Sequence, residues 1–358
     1  MEIHAIVRGS CERYCPDAEA KMQVKNSILK KLLNYFEYKN GQKHVPGVLV
    51  KEFTRSAADA KVPKAKDMRT ELCLNKTVEY LLKDILLDVR KPFHWVYDFI
   101  FDRLRMVRRE IVIQQFQARQ TIKLLEPTIM FLAYSRYRLC TEPIERFDPK
   151  ICNQHLQECL NMTLCCYKEL DDDCSDHKAS TLQDVERRCF IESLYQLFNL
   201  GTPEALVRGL TLPAKVRENA IFSMTFDICM NYHRGNLYRV LVGLPQLPHI
   251  LCAVAAYKLQ MIRRQLLDIF THAYNNKQLT VPTAYLLRLT LVEEPQVLTE
   301  MCGHYNIAVT ADRKAVHFNK TVVNSTVETI KTQREPFIEA KLQRIYLPEV
   351  LLLKKLWL

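Results

Sequence analysis

The sequence predicts an all-α fold with a small β wing, in which an irregular α-solenoid of TPR-like helix pairs ends in a winged helix. Three observations predict this class. Only eight of the 358 residues are glycine, whereas the helix-favouring Leu, Lys, Glu, Gln and Arg are plentiful. Apolar residues recur at steps of three and four along most of the chain. Near the C-terminus the pattern changes to the order helix, helix, strand, turn, strand.

Residues 93–115 form the most clearly patterned helix, and Pro92 suits its first turn. Asp98 and Asp102 lie towards its positive N-terminal end, and the basic residues follow, as the helix dipole favours. One face is expected to be buried, and the charged flank is either a phosphate-binding ridge or an ordinary solvated surface. The predicted core-facing residues are Val96, Ile100, Leu104, Val107 and Ile111. The candidate ridge residues are Arg103, Arg105, Arg108 and Arg109.

The rest of the chain up to about residue 279 also shows helical spacing, without a fixed repeat length. This pattern predicts an irregular solenoid of stacked helix pairs. We expect helices near residues 18–38, 70–89, 121–138, 153–170, 181–200, 213–232, 236–242 and 248–275. Four parts follow: an N-terminal helical core (1–145), the solenoid (146–279), a winged helix (280–322) and a helical tail (323–358).

The predicted winged helix consists of helices at 282–291 and 295–304 and strands near 306–310 and 314–319. Three glutamates on and beside the second helix oppose phosphate approach, which favours protein docking over DNA binding there. The candidate docking residues in this module are Leu298, Met301, Val316 and Phe318. Its candidate RNA contacts are Arg313, Lys314 and Lys320.

The last residues of the chain are strongly apolar and include Leu353, Leu356 and Trp357. Three interpretations stay open. The tail packs back onto the solenoid, docks as a helix on a partner, or lies on a membrane surface.

The formal net charge of +11 favours polyanionic partners: RNA, DNA, an acidic protein or an anionic membrane surface. The N-terminal residues lack a signal-peptide pattern, so we expect an intracellular protein whose thirteen cysteines are reduced. No apolar run approaches the roughly 20 residues of a membrane span, so no membrane partner is expected.

The sequence contains no phosphate-binding glycine loop, dinucleotide fingerprint or helical zinc-protease motif, so we predict a non-catalytic protein without cofactors. Cys11 and Cys15 lie four residues apart and would need His4 or Cys73 to complete a zinc site. A structural zinc site normally has two close ligand pairs, so we interpret these cysteines as thiols. The acidic loop at 171–176 lacks the glycine and glutamate of a calcium-binding EF-hand.

Six ordered blocks resemble the core of the suppressor-of-actin-three/GANP family. They are GSCERYCP (9–16), Phe36-Glu37, VKEF with RSAA (50–58), Asp67-Met68-Arg69, residues 77–82 and VYDFIFDRLRMVRREIVIQQ (96–115). Residues 153–160, ERRCFIESLYQLFNLG (186–201) and HRGNLY (233–238) resemble its helical and PCI region. The chain is similar to short, single-core members, because it has neither the long N-terminal extension nor the long C-terminal tail of the large members.

The resemblance implies a PCI-domain scaffold that pairs with a second PCI protein and a small acidic stabilising protein, and that binds RNA during mRNA processing and export. It implies location in the nucleus and cytoplasm. The alternative implied by short animal members is a centrosome or spindle protein that acts in centrosome duplication and mitotic progression. The family-motif residues expected to be structural are Cys11, Cys15, Pro16, Phe36, Glu37, Lys51, Arg55, Arg69, Asp98 and Asp102.

Overall fold

The computed structural model describes residues 7–30, 35–38, 47–54, 64–172, 181–276, 278–319 and 327–356. The chain divides into two compact units. The first comprises the described residues of Met1–Ala179 together with Tyr346–Leu356, and the second comprises those of Ser180–Ile345. This division groups residues 146–172 with the N-terminal part, whereas the four-part scheme begins the solenoid at residue 146.

The described residues are mostly helical. The helices are α1 (Asp17–Lys30), α2 (Glu71–Tyr80), α3 (Phe93–Ile113), α4 (Ala118–Arg138), α5 (Pro149–Asp172), α6 (Leu182–Phe198), α7 (Pro203–Thr211), α8 (Ala214–Arg217), α9 (Ala220–His233), α10 (Leu237–Gly243), α11 (His249–Ala273), α12 (Thr283–Thr290), α13 (Pro295–His304), α14 (Pro336–Leu342) and α15 (Leu347–Leu351). The strands are β1 (Val281–Pro282), β2 (Ala308–Val309) and β3 (Ala315–His317).

The first unit is organised around α3 and α4. All five residues of the stripe predicted for α3 are buried, so the helical spacing identified the core face correctly. A π-helical turn (Leu81–Ile85) continues α2, and α4 packs along α5. The short α15 contacts α4 and the π-helical turn. The short α15 therefore packs inside the first unit.

The second unit begins with α6, α7, α8 and α9, and α6 packs against both α9 and α11. The predicted helix at 213–232 is two helices in the structure. The side chain of Asn219 accepts the backbone N–H of Ile221 at 3.0 Å, which caps a new helix and separates α8 from α9. Helix α7 has no counterpart among the sequence-predicted helices.

The second unit also contains a module of α12, α13 and a three-stranded antiparallel sheet, which we call the wing module. The sheet order is β1-β3-β2, with Val281 opposite Val316 and Ala308 opposite His317. The sequence pattern missed β1, because it has only two residues and ends in a proline, which sheets tolerate at an edge strand. The all-α class with a small β wing is confirmed.

None of the helices in the described ranges is both long enough and apolar enough to cross a bilayer.

A buried histidine makes the stability of the second unit depend on pH. His249, the first residue of α11, is 4% exposed, and its Nε2 atom has no hydrogen-bond partner among the described residues. Burial, with Lys341 acting in the same direction, lowers its pKa to about 4. The unfolded chain binds a proton at this histidine more tightly than the folded chain does. The contribution of the neutral histidine to the free energy of unfolding is therefore complete above the unfolded pKa of about 6.5, and it is lost as the pH falls towards 4.

We therefore expect the free energy of unfolding of the second unit to fall by about 3 kcal/mol from this group alone between pH 7 and pH 4. Denaturation of the wild type and of His249→Asn across this range measures the effect. The variant is less stable at pH 7, through lost packing against Phe190, but has the shallower pH dependence. If the free energy of unfolding changed equally with pH in the wild type and in the variant, His249 would not be the source of the pH dependence.

Candidate functional site

A fully buried carboxylate on α3, that of Glu110, lies at the centre of a polar cluster in the first unit. Nζ of Lys51 lies 3.1 Å from its Oε1, and Nε of Arg69 lies 3.3 Å from its Oε2. The backbone N–H of Arg69 donates to the same Oε2 at 3.1 Å, and Lys51 also donates to the backbone carbonyl of Asp67. This one carboxylate therefore joins α3 to two separate N-terminal segments.

A second buried ion network surrounds Arg103, which is 5% exposed. Its Nη2 donates to Oε1 of Glu37 at 3.0 Å, and its Nη1 donates to Oδ2 of Asp102 at 2.6 Å. The guanidinium lies 4.6 Å from the ring centroid of Phe99, and the backbone N–H of Phe53 donates to Asp102 at 3.1 Å. Arg103 does not belong to an exposed phosphate-binding ridge, because its charge is already neutralised inside the unit.

Burial governs the protonation of these groups. It raises the pKa of Glu37, while the nearby Arg103 opposes the shift. Burial lowers the pKa of Arg103, but Glu37 and Asp102 outweigh that effect and the pKa is raised overall. Burial also raises the pKa of the Cys15 thiol well above its usual range, with Glu19 acting in the same direction. Cys15 is therefore an inert interior thiol rather than an activated nucleophile.

The N-terminal segment is attached to α3 through Gln114. Its Oε1 accepts the backbone N–H of Gly9 at 2.7 Å, and its Nε2 donates to the carbonyl of Arg69 at 3.0 Å. The backbone N–H of Cys11 donates to the carbonyl of Met68 at 2.9 Å. A Cβ atom at Gly9 would lie 2.4 Å from the carbonyl oxygen of Arg69. Only glycine fits this close approach of two backbones.

The other family-motif residues occupy different environments. Cys15, Pro16 and Phe36 are buried, and the ring of Phe36 lies 5.4 Å from that of Phe99 on α3. Cys11 is partly exposed and Asp98 is exposed. Arg55 lies outside the described residues. The buried members support the structural role that the resemblance implies for them.

The other candidate ridge residues also engage their own unit. The guanidinium of Arg105 lies 3.9 Å from the ring centroid of Phe53. Nη2 of Arg108 lies 2.7 Å from Oε2 of Glu158 on α5, and Arg109 donates to the backbone carbonyl of Thr54. These side chains connect α3 to residues 50–54 and to α5. Their charged ends contact protein groups, so these three residues do not form a freely exposed ridge.

The candidate docking residues are also used inside the chain. In the wing module Leu298, Met301, Val316 and Phe318 are 1%, 4%, 0% and 3% exposed. In the first unit Leu353 and Leu356 are 1% and 6% exposed. These six residues are therefore core residues rather than an exposed docking face, since their apolar surface is already covered. Trp357 lies outside the described residues.

The turn between β2 and β3 carries the exposed cations of the wing module. Arg313 has a φ of 57°, and its Nη1 donates to Oε1 of Gln296 on α13 at 2.9 Å. Lys314 is exposed, and its backbone N–H donates to Oδ1 of Asp312 at 3.1 Å. Lys320 lies outside the described residues. The turn thus presents Arg313 and Lys314 at the surface, beside the start of α13.

An exposed basic and aromatic corner between α9 and α10 was not singled out from sequence. Tyr238 is 55% exposed there, and His233, Arg234 and Arg239 are exposed as well. Gly235, with a φ of 73°, makes the turn that brings them to the surface. The signal in the sequence is the HRGNLY segment (233–238), which combines basic and aromatic residues and also carries part of the family resemblance.

Cys11 and Cys15, the two cysteines spaced as possible zinc ligands, contact other groups of the protein. Sγ of Cys11 lies 3.4 Å from the backbone carbonyl of Arg13, and Sγ of Cys15 lies 3.9 Å from Oε1 of Gln23. Within the described ranges, no three His, Cys, Asp or Glu side chains form a group that could hold a metal ion. His4 lies outside those ranges.

The sequence is similar to known proteins and to one family model. The chain is similar to Protein xmas of Drosophila melanogaster, with 26% identity over 176 residues, which cover 47% of this chain and 8% of that protein. It is similar to SAC3 family protein B of Arabidopsis thaliana, with 26% identity over 138 residues, 38% of this chain and 8% of that protein. The chain thus spans less than a tenth of either relative. The sequence model of the SAC3/GANP family matches residues 14–311, and the chain therefore belongs to the SAC3/GANP family.

Proposed function

We propose that this protein is a non-catalytic scaffold in mRNA export and processing, which pairs with a second PCI-domain protein and a small acidic stabilising protein. The family match over residues 14–311 carries the proposal. The helical second unit with its strand, helix, helix, strand, strand module supports it, because that order is typical of a winged helix. The proposed location is the nucleus and cytoplasm.

The proposed pairing surface is the outer side of the wing module. Val297 on α13 and Tyr285 on α12 are 40% and 38% exposed, and β2 is an edge strand of the sheet. An edge strand has unpaired backbone groups that a partner strand can use. These residues replace the buried Leu298 and Val316 as the proposed contacts.

The proposed RNA contacts are exposed cations of the second unit rather than the α3 arginines. Arg313 and Lys314 lie on the wing turn, and Arg234 and Arg239 flank the exposed Tyr238 at the α9–α10 corner. Cations bind the phosphate backbone, and an exposed aromatic ring offers a stacking surface to unpaired bases. RNA binding at these residues is therefore expected to depend on salt and to tolerate changes of sequence.

The double variant Arg313→Glu with Lys314→Glu is expected to weaken binding of single-stranded RNA uniformly across sequences. Each phosphate contact contributes about 0.7 to the slope of log affinity against log salt, so the slope should fall by about 1.4. Fluorescence titrations at several salt concentrations measure this. The matched control is Lys215→Glu with Arg288→Glu, at two exposed cations of the same unit. Equal slopes in both variants would remove the wing turn from the proposal.

Native purification of the tagged protein from dividing cells, with and without RNase, tests the pairing. We expect a PCI-domain subunit and a small acidic protein in both samples, and mRNA factors that disappear with RNase. Centrosomal and microtubule proteins without any PCI-domain partner would contradict the proposal and favour the centrosomal alternative.

A further inference from the structure

A groove of about 460 Å³ lies within the second unit. It is bounded by α11, by the turn between α12 and α13, by the outward side of α13 and by residues 330–336. Its volume is within the range of roughly 300–1,000 Å³ typical of ligand-binding clefts. The groove is lined by described residues of this unit alone.

The polar groups at the base of the groove are already satisfied. Arg263 forms a bidentate ion pair with Glu335, at 2.7 and 2.9 Å. Its Nε donates to the carbonyl of Thr290 at 2.7 Å, and its Nη2 donates to that of Leu291 at 2.9 Å. Arg263 therefore offers no free charge to an anionic ligand. The rest of the lining contains the apolar residues Leu291, Val292, Val297, Met301, Ile330 and Pro336, together with the polar residues Gln260, His304, Gln333 and Arg334.

The edge of the groove is acidic. We call its three exposed glutamates, Glu293, Glu294 and Glu300, the rim glutamates. No ion pair involves them within the described residues, whereas the neighbouring Arg334 lies 3.6 Å from Glu339. The side-chain amide of Gln296 donates to Glu300 at 2.9 Å, which leaves the negative charge in place. Arg334 and His304 also line the groove, but none of the three rim glutamates is paired with a cation among the described residues.

We propose that this groove binds a basic peptide segment of a partner protein, with one apolar side chain in the base and Lys or Arg side chains against the rim glutamates. Charge complementarity selects this occupant. Phosphate-rich ligands are repelled by the rim, and a purely apolar peptide leaves the carboxylates unused. Helix-in-groove and extended peptides both bind through an apolar anchor flanked by polar contacts. The site adjoins the proposed pairing surface, with which it shares Val297, and it includes none of the proposed RNA contacts.

The test uses an array of short synthetic peptides, in which net charge runs from negative to positive and a single Leu or Trp is present or absent. We expect binding to the full-length protein to require both positive charge and the apolar anchor, and to weaken with added salt. Replacing all rim glutamates with lysine is expected to raise the Kd about tenfold or more. Val297→Ser should remove the preference for anchored peptides while leaving the preference for charge.

The matched control reverses three exposed acids elsewhere in the same unit, Glu204, Glu218 and Asp227. This control should bind the peptides as the wild type does. Equal weakening by the control, equal binding of neutral or acidic peptides, or no binding by any peptide of the array would overturn the proposal. Tighter binding of RNA than of basic peptides at this groove, removed by Val297→Ser, would also overturn it.

Discussion

Replacing Glu110 with glutamine is expected to lower the free energy of unfolding of the first unit by about 3–5 kcal/mol, because it breaks a buried ion pair from one side. Lys51 and Arg69 would keep their charges while losing the carboxylate between them. The amide retains the shape of the side chain, so the loss reports charge rather than packing. Chemical denaturation, with hydrogen exchange to localise the effect to residues 64–113, measures it.

The matched control is Glu52→Gln in the neighbouring network. Glu52 is partly exposed and lies 3.8 Å from Arg103, so its contribution should be about 1 kcal/mol or less. If both variants lost the same small amount, Glu110 would not be the centre of the polar interior. The family-motif residues would then not form a structural network around Glu110.

Arg263→Met is expected to destabilise the second unit by about 3–5 kcal/mol. The change removes both contacts to Glu335 and the two donations to backbone carbonyls of the α12–α13 turn. Glu335 precedes α14, so the turn and the start of α14 should loosen together. Hydrogen exchange should therefore increase around residues 290–294 and 335–342 before it does so in α6 and α9.

Arg288→Met is the control for this change, because Arg288 is exposed on α12 of the same unit. Its effect should stay within about 0.5 kcal/mol. If Arg288→Met destabilised the second unit as much as Arg263→Met does, the loss of any arginine in this region would lower its stability. The buried pair would then have no special part in holding the wing module.

Local helical spacing predicted the core of α3 correctly, since the burial of Val96, Ile100 and Leu104 depends on neighbours three and four residues away. Helical spacing also predicted α13 with the bounds 295–304 that the structure shows. It failed at residues 213–232, where the side chain of Asn219 begins a new helix inside an otherwise continuous apolar pattern. Side-chain capping competes with periodicity at such positions.

The charged side chains of α3 show where sequence patterns stop being informative. Arg103 meets Glu37 across 66 positions of the chain, and Arg109 meets the carbonyl of Thr54 across 55. A row of arginines on one helix does not reveal these distant partners. The sequence also does not predict that Glu110 is buried. A lone glutamate among arginines is typical of an ordinary solvated helix flank.

The described apolar docking candidates are buried for a related physical reason. A small module must bury most of its large apolar side chains to fold, so Leu298 and Phe318 are needed inside it. Only the exposed fraction of each side chain separates core from interface, and that fraction comes from the structure. Val297 is exposed although the adjacent Leu298 on α13 is buried, so neighbouring residues of one helix can belong to the surface and to the core.

The distribution of polyadenylated RNA after depletion of the protein tests the proposed mRNA-export function most directly. In situ hybridisation in depleted cells should show nuclear accumulation of this RNA, and re-expression of the wild-type chain should reverse it. Glu110→Gln should rescue poorly, whereas Glu52→Gln should rescue fully. An unchanged RNA distribution, with abnormal centrosome number or spindle shape in the same cells, would contradict the account.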